Sequence, residues 1–394
     1  MMDADFFDDP YPVYERLRAD PEPLRVEHRQ GSYQRDFILF SRYADARKVF
    51  AERNAISKDS GANRPVGEPP TPLDMHMLHR DGEEHQRLRR LVAGYFSPSA
   101  MRGLTAITME VVGAALDSMR EWDRVDLVKD FAEPIPLRII ASVMGVPVAD
   151  LPRVRAWTLT LSAGFDSFVS VEQDPRLLTA CAEEFFSYLN TLIDSDHRQG
   201  RKTLIAHLAS ARASGTISAG EAVGMAMFLL VAGHETTVSL IGSGLWLLLS
   251  HPDQLALLRQ DPRLIDSAVE EILRYESPLQ RTTFRVATTP MTLGSYRLEA
   301  GQQFGVIMGA ANRDESEFPA ANRFDIQRSP NRHLAFGGGL HDCLGKHLAR
   351  LEAKMALGMI FSRYPRLELL SDRPVWRRNS FFRGLQRLPV QLGR

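Results

Sequence analysis

The chain is poor in cysteine: Cys181 and Cys343 are the only two in 394 residues. That excludes a disulfide-stapled fold, and a metal cage built from cysteines alone within one chain. An excess of one charge is also lacking, with 48 Lys+Arg against 49 Asp+Glu and a net charge of −1. A neutral balance gives no general pull toward nucleic acid or a membrane surface. The opening Met1-Met2-Asp3-Ala4-Asp5-Phe6-Phe7-Asp8-Asp9 has no basic start and no apolar run. Neither a signal peptide nor a membrane anchor is expected, and a reducing cytoplasm is. Repeats and low-complexity tracts are missing as well. What remains is an ordinary globular mixture, 44% hydrophobic and 25% charged, able to bury a sizeable core.

Most of the chain reads as helix. Ser97-Pro98, Asp174-Pro175 and Asp261-Pro262 each put a capping side chain before proline at the first helical position. The first opens a stretch carrying Met101, Leu104, Ile107, Val111 and Leu116. The second carries Leu178, Phe185, Leu189 and Ile193 and stops at Gly200. Residues 64–72 hold four prolines in nine and must be a loop. Residues 282–308 alternate as strands do, with turn signals at Gly294-Ser295 and Ala300-Gly301. Residues 36–40 form another strand candidate. The expected class is mainly α with a minor β region (α+β).

Two stretches carry chemistry. Ser218-Ala219-Gly220-Glu221 is a capping box, and the apolar helix it opens is interrupted by Ala232-Gly233-His234-Glu235-Thr236-Thr237. An unpaired buried carboxylate costs several kcal/mol. Glu235 is therefore protonated, paired, or turned to a wet cavity, and Thr236 can divert a backbone hydrogen bond and bend the helix. An acid–alcohol pair delivering protons in an internal pocket and a polar helix face at the surface both fit. The second stretch is Phe336-Gly337-Gly338-Gly339-Leu340-His341-Asp342-Cys343-Leu344-Gly345. Glycines permit positive φ and close backbone approach. Cys343 sits where this loop feeds a helix N-terminus, whose dipole and free N–H groups favour a thiolate. Such a thiolate is a nucleophile, a zinc ligand or an axial ligand to haem iron. Zinc finds too few partners in His341 and His347, and a nucleophile needs a base, for which His341 is the neighbour.

This loop resembles the haem-binding signature of the cytochrome P-450 superfamily, the haem-thiolate monooxygenases. Further motifs follow the order of that family. Ala232-Gly233-His234-Glu235-Thr236 resembles its oxygen-activation segment, and Glu271 with Arg274 its Glu/Arg pair. Asn312-Arg313-Asp314, Phe318-Pro319 and Asn322-Arg323-Phe324 resemble the segment supplying a third partner, Arg323. Asp81-Gly82-Glu83-Glu84-His85 with Arg89 resembles the early helix that meets a haem propionate. The resemblance implies one domain over 1–394, a triangular prism with a long central helix over the haem. Its β-rich parts lie at about 24–56 and 282–308, and the rest is helical body. By periodicity Glu271 and Arg274 fall opposite the apolar stripe of Ile265, Val269 and Ile272, which calls them exposed. The resemblance makes them a buried network, and that reading is preferred here.

The implied roles are specific. Cys343 is the metal ligand of haem b, shielded by Phe336, with N–H groups near Leu344 and Gly345 on its sulfur. His85, Arg89, Arg285 and His341 pair with the haem propionates. Glu235 and Thr236 organise water and deliver protons during O2 activation, with the helix opened locally at Gly233. Asp342 points away from the sulfur. Substrate walls come from the 64–79 loop, the 157–180 region (Trp157, Leu161, Phe165, Phe168), Val231, Ala232, the stretch from Leu279 through Gln280, Arg281 and Thr282 to Thr283, and Phe381 with Phe382. A hydrophobic small molecule of secondary metabolism is the expected substrate, hydroxylated or epoxidised. Electrons come from NAD(P)H through ferredoxin reductase and a ferredoxin, the latter steered by Arg90, Arg332, Lys346 and Arg350. A cytoplasmic monomer acting on neither nucleic acid nor membrane completes the expectation. Alternatives are a same-fold peroxygenase or oxidative coupling enzyme, and a non-catalytic haem-binding protein.

Overall fold

The capping signals place the helices where the sequence puts them. Ser97 accepts from the Ala100 amide and opens Pro98–Ser118. Asp261 caps the short turn Pro262–Leu264, which leads into Ile265–Tyr275. Both halves of the Ser218/Glu221 box form, at 3.1 and 2.8 Å, and open the central helix Ala219–Ser250. In this computed structural model the described residues are 4–30, 33–59, 74–166, 175–196 and 202–393. The helix Pro175–Asp196 forms as expected. Its proposed cap Asp174, its stop at Gly200 and the 64–72 loop lie outside the described residues.

At ~1.5 Å per residue the 32 residues of the central helix span roughly 48 Å. The helix is long and apolar enough to cross a membrane, but 78% of its most apolar window is buried inside the protein. It packs on Pro134–Met144, Pro175–Asp196, Ile265–Tyr275 and Lys346–Arg363. Gly233 and Gly244 allow close approaches, because a Cβ there would meet Ile140, or Ile272 and Leu357, at 3.0 Å. No break interrupts the helix at Gly233, contrary to the local opening expected there.

The β region is a five-stranded sheet that stitches the N-terminal part to residues 285–306. Its strands are β1 (Leu24–Gln30), β2 (Tyr33–Phe40), β3 (Ile56–Ser57), β4 (Arg285–Ala287) and β5 (Gln303–Val306), in the order β1-β2-β5-β4-β3. Strand β2 runs parallel to β5, with Phe37 opposite Gln303, while β4 lies antiparallel to both β5 and β3. Between β4 and β5, Met291–Leu293 and Tyr296–Leu298 make a hairpin turning at Gly294 and Ser295. Two details differ from expectation. A helix, Tyr43–Ala51, divides the first β-rich part. Short strands also occur in the supposed helical body, at Arg124–Asp126 and between 368 and 391. Strands of two or three residues are too short to show a period.

Glu271 and Arg274 are both fully buried, as the resemblance implied and periodicity denied. Periodicity fails because Ile265–Tyr275 is covered on a second side by residues 312–331. Arg274 grips Glu271 through two hydrogen bonds of 2.8 and 2.7 Å. It also donates to the carbonyls of Asn312 and Ala321, both at 2.9 Å. The third cation is Arg328 and not Arg323: Arg328 Nε donates to Glu271 at 3.2 Å, while Arg323 offers only its carbonyl. Asn331 and the Asp325 amide complete the carboxylate. Removing one partner leaves a buried charge unanswered. Arg274→Met should cost about 3–5 kcal/mol in urea unfolding, and the added cost of Glu271→Leu on that background should be small.

Candidate active site

Cys343 is anchored by its own loop. Its amide donates to the Phe336 carbonyl at 3.0 Å, and two residues later Gly345 caps Lys346–Arg363. Gly337 and Gly339 both take φ of +67°. At Gly339 the backbone passes so close to Phe50 that a Cβ would lie 1.9 Å from its carbonyl oxygen. The loop is thus pressed on the helix Tyr43–Ala51. Burial pushes the Cys343 thiol up, and the Gly345 N–H works against that. Burial thus opposes the thiolate that the helix start favours, and a metal cation bound at the sulfur would favour it.

The sulfur borders a cavity of about 270 Å³. The same cavity is lined by Phe336, His341 and Gly345 of the loop, by His85 and Arg89, and by Arg285. Val231, Ala232, Leu279, Thr282 and Phe381, all expected in the substrate wall, also line it. Met77, Leu78, Phe165, Arg281, Thr283 and Phe382 do so as well. Trp157 and Leu161 do not; Trp157 stacks on Phe185 at 5.0 Å and belongs to the packing between helices. Gln280 turns back to the Ser277 carbonyl. Phe168 lies outside the described residues.

One end of the cavity is crowded with bases. His85 is buried, its ring 4.3 Å from that of His341, and its Nδ1 has no partner. His341 Nε2 lies 3.4 Å from Asp81. Arg285 donates to the Thr283 carbonyl at 3.2 Å, and Arg89 to the Asp342 carbonyl at 2.8 Å. Burial holds His341 down to about 4 and Arg285 down to about 10, and lowers His85 too. Such a rim suits a ligand carrying carboxylates.

Glu235 and Thr236 do not share the cavity. Thr236 lines it and donates to the Ala232 carbonyl at 2.9 Å. Glu235 is buried and ion-paired to Arg377. Adjacent residues on a helix point about 100° apart, so one faces the cavity and the other the C-terminal segment. Arg377 reaches on toward Glu133 at 3.8 Å, and Glu133 meets the half-exposed Arg155 at 2.6 Å. Next door, burial lowers His234 to about 3, and its Nδ1 sits 3.0 Å from Thr158 Oγ1.

Several site residues carry no sequence signal. Lys58, Glu352 and Arg377 are each brought in by distant segments. Glu352 lines the cavity fully buried, and burial raises its acid well above the usual range. Arg281 spans the rings of Phe284 and Phe381 and lies 3.8 Å from Asp166. Asp342 pairs with Lys346 at 2.6 Å, yet its residue borders the cavity and its charge acts on the Cys343 thiol, and Arg350 pairs with Glu270. Two of the four bases expected to steer a partner are therefore already neutralised.

The family description Cytochrome P450 matches residues 170–391. Cytochrome P450 monooxygenase PikC of Streptomyces venezuelae is 40% identical, over 98% of this chain and 92% of that one. The 6-deoxyerythronolide B hydroxylase of Saccharopolyspora erythraea is 36% identical, over 79% and 76%. The crystal structure of the myxobacterial cytochrome P450 CYP267B1 in complex with myristic acid superposes with a TM-score of 0.90 at 36% identity, covering 100% and 98%.

The loop geometry makes a prediction. Gly339→Ala should cost at least about 2 kcal/mol in chemical unfolding, through positive φ and collision with Phe50. Gly358→Ala, in a helix with nothing within 4 Å, should be neutral or stabilise by about 0.5–1 kcal/mol.

Proposed function

The chain belongs to the cytochrome P450 family, the haem-thiolate monooxygenases, and from that premise we propose that it hydroxylates or epoxidises a mid-sized hydrophobic product of bacterial secondary metabolism. One observation carries the reading. A half-buried thiol, a cluster of wholly or partly buried bases and Thr236 of the central helix border one cavity whose other walls are mostly apolar, with Glu352 and Arg281 among the exceptions. The residues fit haem b: a sulfur that lacks its cation, and bases, among them a histidine nitrogen without a partner, that lack carboxylates. When bound, haem supplies iron-centred O2 activation with electrons taken one at a time.

The residues of the chain then divide the work. Cys343 holds the iron, and the Gly345 N–H with the helix start stabilises its thiolate. His85, Arg89, Arg285 and His341 take the two propionates, Arg through its planar fork. Phe336 covers the sulfur and keeps water from it. Thr236, already bonded to Ala232, orients a water or proton at the cavity wall. Glu235, held as a carboxylate by Arg377, is the proton acceptor next along the helix, and the ion pairs of Arg377, Glu133 and Arg155 lead from it toward the surface. Val231, Ala232, Leu279, Thr282 and Phe381 exclude water and seat the substrate. Arg281, balanced by Asp166, gives that pocket one polar point suited to an oxygen acceptor such as a lactone or ketone.

Electrons reach the site from redox partner proteins. We assign them to NAD(P)H through a ferredoxin reductase and a ferredoxin, with Arg90 and Arg332 as the steering bases left by the pairing of Lys346 and Arg350. A cytoplasmic setting suits a Cys343 that must stay reduced. We treat residues 1–394 as one catalytic domain acting as a monomer.

The test is optical and then catalytic. Reduced, CO-bound protein should show the strongly red-shifted Soret band of thiolate-ligated haem, and Cys343→Ser should lose it. A wild-type band at the unshifted position removes the thiolate from the reading. With ferredoxin, reductase and NAD(P)H, Thr236→Ala should keep that band yet lower product formation by roughly 100-fold, with reductant still consumed.

A further inference from the structure

A lysine that no motif singles out is buried at the basic end of the cavity. Lys58 is 5% exposed, and its Nζ donates to Thr283 Oγ1 at 2.9 Å. The backbone decides its position. Strand β3 pairs Ile56 with Ala287 and Ser57 with Val286, and the register carried one residue further sets Lys58 beside Arg285. From the other side the Asp81 carboxylate clamps the same segment. It accepts from the Ser57 hydroxyl at 2.6 Å, the Lys58 amide at 2.9 Å and the Asp59 amide at 3.1 Å. Asp81 also meets His341, so one acid ties the β3 end to the cysteine loop.

This clamp spends Asp81 on backbone amides, a hydroxyl and an imidazole. Among the described residues no carboxylate comes within 4 Å of the Lys58 ammonium or the Arg285 guanidinium. Two neighbouring cations repel and burial penalises each, and Asp81, acting on both from beyond ion-pair distance, offsets this only in part. A fold that forces both into one apolar cavity needs an anion there to answer them. Four residues, His85, Arg89, Arg285 and His341, already have roles toward the haem carboxylates; Lys58 has none.

We infer that Lys58, steered by the Asp81 clamp, is a fifth cationic partner of the cofactor, binding one of its two carboxylates together with the Thr283 hydroxyl. This rests on the haem reading, which the CO spectrum of the wild-type protein tests separately. Lys58 ties the haem edge to β3 and so to the sheet, while the other four tie it to the helix Gly82–Ala93, to β4 and to the cysteine loop.

The experiment uses purified holoprotein. Transfer of haem to excess apomyoglobin is followed for wild type, Lys58→Met and Lys58→Arg, alongside a redox titration of each. Lys58→Met should release haem at least severalfold faster and shift the midpoint potential negative, as loss of a nearby positive charge requires. Lys58→Arg should stay within about twofold of wild type, since it keeps the charge. Met fills the same space without a buried charge, so unfolding of the Lys58→Met apoprotein should need no less urea than wild type; a folding defect there would overturn the assignment. Unchanged haem release and potential would overturn it as well. So would a variant that retains haem normally but loses its spin-state response to myristic acid and not to 1-tetradecanol. That outcome gives Lys58 to a substrate carboxylate.

Discussion

A charge taken out of water must be answered by another charge, and the protein handles this in two contrasting ways. At Glu271 the answer is internal. Arg274, Arg328, Asn331 and the Asp325 amide saturate the carboxylate, and Arg274 spends its remaining donors on carbonyls of residues 312–323. That network needs nothing from outside and locks a long irregular segment to a helix. At the cavity the answer is left open. Burial works against the Cys343 thiolate, while Lys58, His85 and Arg285 share one anion, Asp81, whose oxygens are already bonded elsewhere. One bound group with a metal centre and two carboxylates resolves both deficits, which is why the family's cofactor and this chain's electrostatics agree.

The central helix organises the rest. Because its neighbouring side chains diverge, one short polar break serves two compartments. Thr236 faces the cavity, and Glu235 faces Arg377 and the line of charges leading outward. Oxygen chemistry needs protons but is spoiled by free water. Under the proposed function, the alcohol stands in the cavity and the acid stays tied in an ion pair behind it, while the largely apolar walls keep bulk solvent out.

Much of this was legible beforehand. The cap-and-proline starts, the capping box at Ser218, the strand alternation across 282–308 and the glycine loop at Cys343 all depend on interactions between near neighbours. Five expected pocket residues and five basic or aromatic cofactor contacts met in one cavity because the family motifs carried their positions. The errors share one cause. The motif points to Arg323 where Arg328 acts, and the expected pocket residues Trp157 and Leu161 lie in a helix interface. Each error concerns which of several similar side chains in a segment reaches a distant partner.

Local order, helix boundaries and the glycine loop around Cys343 therefore follow from the sequence alone, since capping, glycine conformation and motif spacing act over a few residues. Tertiary structure decided what spans hundreds of residues. It buried Glu271 by folding a second layer over its helix, swung Arg377 back to Glu235, and set Lys58 beside Arg285 through strand register. Periodicity reports only the first surface a helix buries; a second burial, an ion pair across the chain or a pairing register exists only once the segments meet.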